Sequence, residues 1–300
     1  MEEYIGKWVS AAPDPARERK RRKFVRDLFA LLDLVPFRSA KTAVPLLAGD
    51  SHTGLARSGN EDCYLFVKGD GIIPTAALVA DGIGGHRNGD IASGLLVRLF
   101  LRKWREYTGE ERKYTLRSLS DFLKELFLFI NNAIAGINEH SAAACPMGTT
   151  LVSAVFYRNY LISFHAGDSR IYRVRKGRIT QLTSDHSAAC SPSALSACAG
   201  GQGKGEGADG SSSNESESRT VITRAVGMKM NRRPEYNLFS VKKGDRFVLC
   251  SDGLSLHLSS EEIGKIVLDA PAPAKAANTL LNTALRRGGR DNVTAVCAFF

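Results

Sequence analysis

Four aspartates stand where apolar runs give way to glycine or asparagine. Leu78-Val79-Ala80 leads into Asp81-Gly82-Ile83-Gly84-Gly85-His86, and Phe164-His165-Ala166 into Gly167-Asp168-Ser169-Arg170. Phe247-Val248-Leu249-Cys250 leads into Ser251-Asp252-Gly253, and Arg290-Asp291-Asn292 precedes the run Val293 to Phe299. An apolar strand that ends in a carboxylate puts that charge at the rim of a sheet. Several such ends in one place would repel one another and could not all stay ionised. Mg²⁺ and Mn²⁺, hard cations that prefer oxygen ligands, would relieve the repulsion. The glycines let the backbone come close and offer its carbonyls as further ligands. Taken singly, each Asp-Gly is a turn signal; four of them at strand ends read as a metal site. A second element is Arg57-Ser58-Gly59-Asn60-Glu61-Asp62. A guanidinium is a planar fork suited to phosphate oxygens, and Glu61 and Asp62 could hold metal-bound water. The alternative for this segment is an ordinary surface salt bridge.

The elements that must position these residues are legible as periodicity. Strand-like runs rich in Val, Ile, Leu, Phe and Tyr occur at 75–80, 149–156, 160–166, 170–174, 178–182, 246–251 and 293–299. Arg158-Asn159 and Lys176-Gly177 fit hairpin turns. One helix is predicted from near Asp90 to Trp104. A second spans about 117–138, with Leu119, Phe122, Leu126, Ile130, Ile134 and Ile137 on one face. Two more are predicted at 260–268 and 275–286, the first capped by Ser259 or Ser260. Hairpin strands with segregated helices predict an α+β domain: two antiparallel β-sheets with helices outside, not a parallel βαβ array.

Composition bounds the rest. The 300 residues, 43% of them apolar, suffice for a substantial core. No run of eighteen apolar residues predicts a membrane span. The apolar stretch Leu28 to Phe37 is broken by Asp33 and lacks a cleavage pattern, so no secretory signal is expected. The six cysteines, at 63, 145, 190, 198, 250 and 297, form no C-x-x-C pair and read as reduced thiols of a cytoplasmic protein. None has an arginine six residues on, as a cysteine-nucleophile phosphatase would need, and no P-loop is present. Residues 1–45 read as a basic N-terminal extension, with ten Lys/Arg against six Asp/Glu. Arg17 to Lys23 followed by Phe24, Leu28, Leu31, Leu32 and Val35 fits a basic amphipathic helix that meets anionic lipid or a partner groove. The stripe is short, which favours a solvated helix packed by one face over membrane contact. The net charge of +10 is otherwise dilute, and no basic motif interleaved with aromatics appears, so nucleic acid is not an expected partner. Residues 46–300 form the main domain. Within it, 21 of the 32 residues at 187–218 are Ser, Ala or Gly, which predicts a flexible surface loop. Its Gly205-x-Gly207-x-x-Gly210 lacks a preceding strand and is no dinucleotide fingerprint.

Together, eight segments in order resemble the metal-dependent protein phosphatases of the type 2C (PPM) family, bacterial branch, from about Gly49 to Phe300. They are Gly54-Leu55-Ala56-Arg57-x-x-Asn60-Glu61-Asp62; Val79-Ala80-Asp81-Gly82-x-Gly84-Gly85-His86; Met147-Gly148-Thr149-Thr150; Gly167-Asp168-Ser169-Arg170; Leu182-Thr183-x-Asp185-His186-Ser187; Ile222-Thr223-Arg224-Ala225-x-Gly227; Ser251-Asp252-Gly253; and Arg290-Asp291-Asn292. The resemblance implies a four-layer sandwich, two β-sheets flanked by helices. It implies that Asp81 bridges two divalent cations, that Asp252 and Asp291 complete one site, and that the Gly82 carbonyl serves the other with Asp62 nearby through water. Arg57 would bind the substrate phosphate, and Asp168 would support a third, weaker metal. A dimetal-bound hydroxide would then attack phosphoserine or phosphothreonine in line, without a phospho-enzyme. Phosphorylated proteins and a cognate serine/threonine kinase are the implied partners.

Two departures stand out. The family's eukaryotic members place their general acid at the position of Ile83 here; His86 lies beyond it and reads as structural, which leaves a metal-bound water to protonate the leaving group. His165 and His186 are open between structure and chemistry. The Ser/Gly/Ala-rich tract replaces a more ordered flap. A catalytically weak pseudophosphatase that binds phosphoproteins is the competing reading; it would predict missing ligands, yet every matching aspartate is present.

Overall fold

The computed structural model describes residues 43–83, 88–110, 113–140, 146–189, 220–228 and 234–300. The predicted amphipathic segment, His86 and residues 190–218 of the Ser/Gly/Ala-rich tract lie outside the described residues.

Strands β1 (Leu46–His52), β2 (Asp62–Val67) and β3 (Thr75–Ile83) come first, followed by helices α1 (Gly89–Gly109) and α2 (Leu116–His140). Then come β4 (Gly148–Thr149), β5 (Leu151–Tyr157), β6 (Tyr160–Ala166), β7 (Arg170–Arg175), β8 (Arg178–Gln181), β9 (Ser187–Ala189), β10 (Thr220–Ile222), β11 (Glu235–Ser240) and β12 (Arg246–Cys250). Helices α3 (Asp252–Ser255), α4 (Ser260–Asp269) and α5 (Pro273–Arg286) precede β13 (Val293–Phe299). One sheet runs β1-β13-β12-β7-β8 and the other β11-β6-β5-β3-β2, with β4 paired to the end of β3 and β9 paired to β10. All pairings are antiparallel.

The period of two along the central strands explains the layering. In β3, Ala77 and Val79, alongside Val152 and Phe156 of neighbouring β5, face the second sheet, where they meet Phe247, Leu249 and Val296. Ala76, Leu78 and Ala80 point the other way, into a core shared with Trp104, Leu119, Ile130 and Ile134 of α1 and α2. In β12 and β13, Val248, Cys250, Ala295 and Cys297 face Ile263, Val267, Leu280 and Leu281 of α4 and α5. Both sheets are therefore covered on both faces, which is why these strands read as continuous apolar runs. The result is the expected helix–sheet–sheet–helix sandwich.

The hairpins form where expected: Lys176 and Gly177 both take positive φ, at 51° and 76°, as a two-residue turn demands, and Arg158 takes 53°. Ser259 caps α4 through a reciprocal capping box with Glu262. Strands β1, β2 and β11 were not predicted from the sequence. Each lies at a sheet edge and is only partly buried; in β1 and β11 polar residues interrupt the apolar ones, while the apolar run Cys63 to Val67 of β2 was a signal overlooked.

Candidate metal centre

Two loop segments and three strand ends meet at one end of the sandwich. Antiparallel pairing of β2 with β3 sets Asp62 directly opposite Asp81. Asp252 opens α3 just beyond β12, and its carboxyl group lies within hydrogen-bond reach of that of Asp81. Asp291 immediately precedes Asn292 and β13, and its Oδ2 accepts a 2.8 Å bond from Arg57 Nη2. Asp168, in the turn between β6 and β7, is close enough to Asp81 and Asp252 to feel their charge. The structure thus gathers all five predicted aspartates, with Arg57 at the rim, where its side chain stays half exposed.

Local packing explains why each group sits where it does. The Asp81 amide donates to Thr150 Oγ1 at 3.0 Å, while its carbonyl accepts from the Thr150 amide at 2.8 Å and Thr149 Oγ1 at 2.9 Å. The Thr149-Thr150 pair therefore anchors the backbone of Asp81, a role that its sequence motif did not disclose. Gly82 lies against Gly89 and Glu61, so that a Cβ there would overlap their carbonyl oxygens. A Cβ on Gly253 would likewise overlap the Asn292 carbonyl oxygen. Ser251 Oγ donates to Asp62 Oδ2 at 2.7 Å and accepts from the Thr294 amide at 3.1 Å. Thr294 Oγ1 in turn bonds Ser51 Oγ at 2.7 Å, and Asn60 Nδ2 donates to Ser51 Oγ at 2.9 Å. Ser51, Thr294 and the side chain of Asn292 escaped sequence reasoning, since single Ser, Thr and Asn residues carry no spacing signal. Arg170 grips Asp185 through Nε at 3.0 Å and Nη2 at 2.6 Å, which fixes the turn that carries Asp168.

The electrostatics are those of an incomplete site. Burial, then repulsion from Asp62, Asp252, Asp168 and Asp291, drives the Asp81 carboxyl well above the usual carboxylate range. Burial first, and neighbouring carboxylates after it, push Asp62, Asp168 and Asp252 up to about 6. Asp62 Oδ1 and Asp168 Oδ1 are buried without a hydrogen-bond partner. An unpaired buried carboxylate oxygen is costly, and an all-oxygen set of this kind is the donor chemistry of Mg²⁺ or Mn²⁺. The residues present fit such ions.

A separate polar cluster lies at the base of the β9–β10 hairpin. His165, His186 and Glu235 offer three potential ligand atoms within 4.8 Å of one another. Their geometry favours a hydrogen-bonded clasp over a metal. The two imidazoles stack in parallel at 4.6 Å, so their lone pairs do not converge. His165 Nε2 donates to the Ser184 carbonyl at 3.0 Å, and burial pushes its pKa down to about 4. Arg224 Nη1 already stands 3.2 Å from His186 Nε2, where a cation would have to sit. His186 also accepts from the Gly167 amide at 3.2 Å and donates its own amide to the Gly167 carbonyl at 3.0 Å. Of the four ring nitrogens only His165 Nδ1 is buried without a hydrogen-bond partner, and the pair reads as structure.

A family model described as Protein phosphatase 2C matches residues 48–287. The serine/threonine protein phosphatase PstP of Mycobacterium tuberculosis is 34% identical over 263 residues, covering 86% of this chain and 45% of that protein. The chain thus spans about half the length of that curated relative. The serine/threonine phosphatase stp of Listeria monocytogenes is 29% identical over 219 residues, 73% of this chain and 82% of that protein. Among solved structures, the catalytic domain of PstP in complex with two manganese ions superposes with a TM-score of 0.65 at 30% identity, covering 85% of this chain and 98% of that one.

Proposed function

The chain belongs to the protein phosphatase 2C family, and from that premise we propose that it hydrolyses phosphoserine and phosphothreonine esters in phosphorylated proteins with two divalent cations, Mn²⁺ or Mg²⁺. The observation that carries this reading is the convergence of Asp62, Asp81, Asp168, Asp252 and Asp291 on one cleft edged by Arg57. Asp81, Asp252, Asp291 and the Gly82 carbonyl would hold the ions. Asp62, oriented by Ser251, would hold ordered water. Asp168 would support a third, weaker ion. When bound, the cations neutralise the cluster, bring the pKa of coordinated water toward neutrality and polarise the phosphoryl oxygens.

The chain's own residues do the positioning. The Arg57 fork takes two phosphoryl oxygens and stabilises the charge that builds on them during in-line displacement. Its 2.8 Å bond to Asp291 ties the phosphate-binding group to a metal ligand, so substrate and ions are held in one frame. No nucleophilic side chain is required, and of the described cysteines Cys250 and Cys297 are buried, with burial pushing the Cys250 thiol up to about 12. A serine/threonine kinase must supply the substrate. Residues 46–300 would be the catalytic domain. The deciding assay is hydrolysis of p-nitrophenyl phosphate and a phosphothreonine peptide with Mn²⁺ or Mg²⁺, and again after chelation. Turnover that survives chelation would overturn the proposal.

A further inference from the structure

The segment 53–61, which carries Arg57, has little secondary structure of its own: it lies between the ends of β1 and β2. One neighbour makes three of the bonds that order it. Asn292, buried between Asp291 and β13, accepts from the Glu61 amide through Oδ1 at 2.9 Å. Its Nδ2 donates to the Thr53 carbonyl at 2.7 Å and the Gly59 carbonyl at 2.9 Å. One amide side chain thus pins both ends of the stretch that presents Arg57. Further ties lie between them: the Gly54 amide to His52 Nδ1 at 2.9 Å, the Leu55 amide to the Gly289 carbonyl at 2.7 Å, Asn60 Nδ2 to Ser51 Oγ at 2.9 Å, and the exposed Arg57–Asp291 pair.

We propose that Asn292 is the positioning residue for the phosphate-binding arginine, acting through the backbone of residues 53–61 and not through the metal ligands. This rests on the phosphatase reading above. The ligands themselves are held by other bonds. Asp81 is anchored by Thr149 and Thr150, and Asp62 by Ser251. Glu61 keeps two ties to its carbonyl, from the Gly82 amide at 3.1 Å and Ser93 Oγ at 2.6 Å, whatever happens at Asn292. Loss of Asn292 therefore frees 53–59 selectively. The three bonds use the full pattern of an amide, two donated hydrogens and an accepted one. Isosteric Asn292→Asp keeps the acceptor for Glu61 but turns a lone pair toward two carbonyls, so it should break the clamp without opening a void.

The test uses the full chain and its Asn292→Asp and Asn292→Ala variants. In hydrogen–deuterium exchange the amides of 54–59 should exchange at least about tenfold faster in both variants, while those of Asp81 and Gly82 stay unchanged. Mn²⁺ affinity by calorimetry should hold within about threefold. Turnover of p-nitrophenyl phosphate should fall about 30- to 100-fold in kcat/KM, the loss expected from about 1 Å of misplacement. On an Arg57→Ala background the same substitutions should cost less than about threefold, because the group they position is gone. Unchanged exchange at 54–59, additive losses with Arg57→Ala, or a collapse of Mn²⁺ affinity would each overturn the assignment. A wild-type chain without metal-dependent turnover would overturn the phosphatase reading alone, since the exchange comparison tests the clamp without it.

Discussion

Two buried polar clusters lie close together in this molecule and solve the problem of buried charge in opposite ways. The aspartate cluster sets five carboxyl groups beside the half-exposed guanidinium of Arg57, with Arg170 also acting on Asp168. It keeps two carboxylate oxygens without partners and shifts most of its members upward. The histidine clasp sets one carboxylate, Glu235, beside one guanidinium, Arg224, with two stacked imidazoles between. A like-charged group left incomplete by its own fold is built to receive something, whereas a mixed group that balances itself is built to hold two loops together. The contrast teaches that proximity of ligand-type atoms is a weak criterion for a metal site; the sign and balance of the charges discriminate better.

That comparison can be broken most directly at Asp81. Asp81→Asn should lower kcat/KM by at least about 1000-fold and, by relieving repulsion, raise the melting temperature of the chelated protein. Cys63→Ala should leave turnover intact. A melting temperature that falls in Asp81→Asn would mean that the cluster is not under electrostatic strain. The next largest effect concerns pH. Asp62 and Asp252 have folded-state pKa values raised to about 6, so the native metal-free protein binds protons that the unfolded chain releases near pH 4. The contribution of these two groups to its stability is greatest below that pH and declines as pH rises through about 6. Mn²⁺ should restore the loss. The gap between the melting temperatures of Mn²⁺-loaded and chelated protein should therefore widen from pH 4.5 to 7; a constant gap would contradict the assignment.

The clasp should behave differently. His165→Phe keeps the ring stack but removes the bond to Ser184, at a cost of about 1–2 kcal/mol that is the same with and without Mn²⁺ in thermal unfolding. A Mn²⁺-dependent cost would move His165 into the metal chemistry. The smallest effect sharpens the comparison from outside both clusters. Ser259→Ala, which opens the α4 capping box, should cost about 1 kcal/mol in denaturant unfolding and leave kcat/KM unaltered.

The sequence was legible where burial is two-sided. Thr75 to Ala80, Leu151 to Tyr157 and Val293 to Phe299 are buried along their length, and such strands announce themselves as apolar runs. Two of the four sheet edges were silent: Leu46–His52 carries Gly49, Asp50 and Ser51, and Glu235–Ser240 begins with a glutamate. The metal-ligand candidates were legible because the chemistry needs an acid beside a backbone that bends, and Asp-Gly and Asp-Asn write that requirement locally. Their supports were not. Ser251, Thr294 and Asn292 act on residues far away in the chain, and a hydrogen bond across 189 or 231 positions leaves no trace in spacing. His165 and His186 stayed ambiguous in the sequence because their meaning depends on Arg224 and Glu235, which only folding brings alongside.

Strand β13 lies between β1 and β12, so the last strand in chain order bridges the first strand to the rest of its sheet, across 241 or more positions of sequence. Joining partners so remote is slow, because much chain must be ordered before the pairing is rewarded. The same ten residues bring Asp291 and Asn292. A chain still emerging during synthesis, or one clipped before position 291, would lack a sheet centre, an ion ligand and the fastening of its phosphate loop together. Hydrolytic competence would then switch on in one step with completion of the fold, leaving no half-built species able to strip phosphate from bystander proteins.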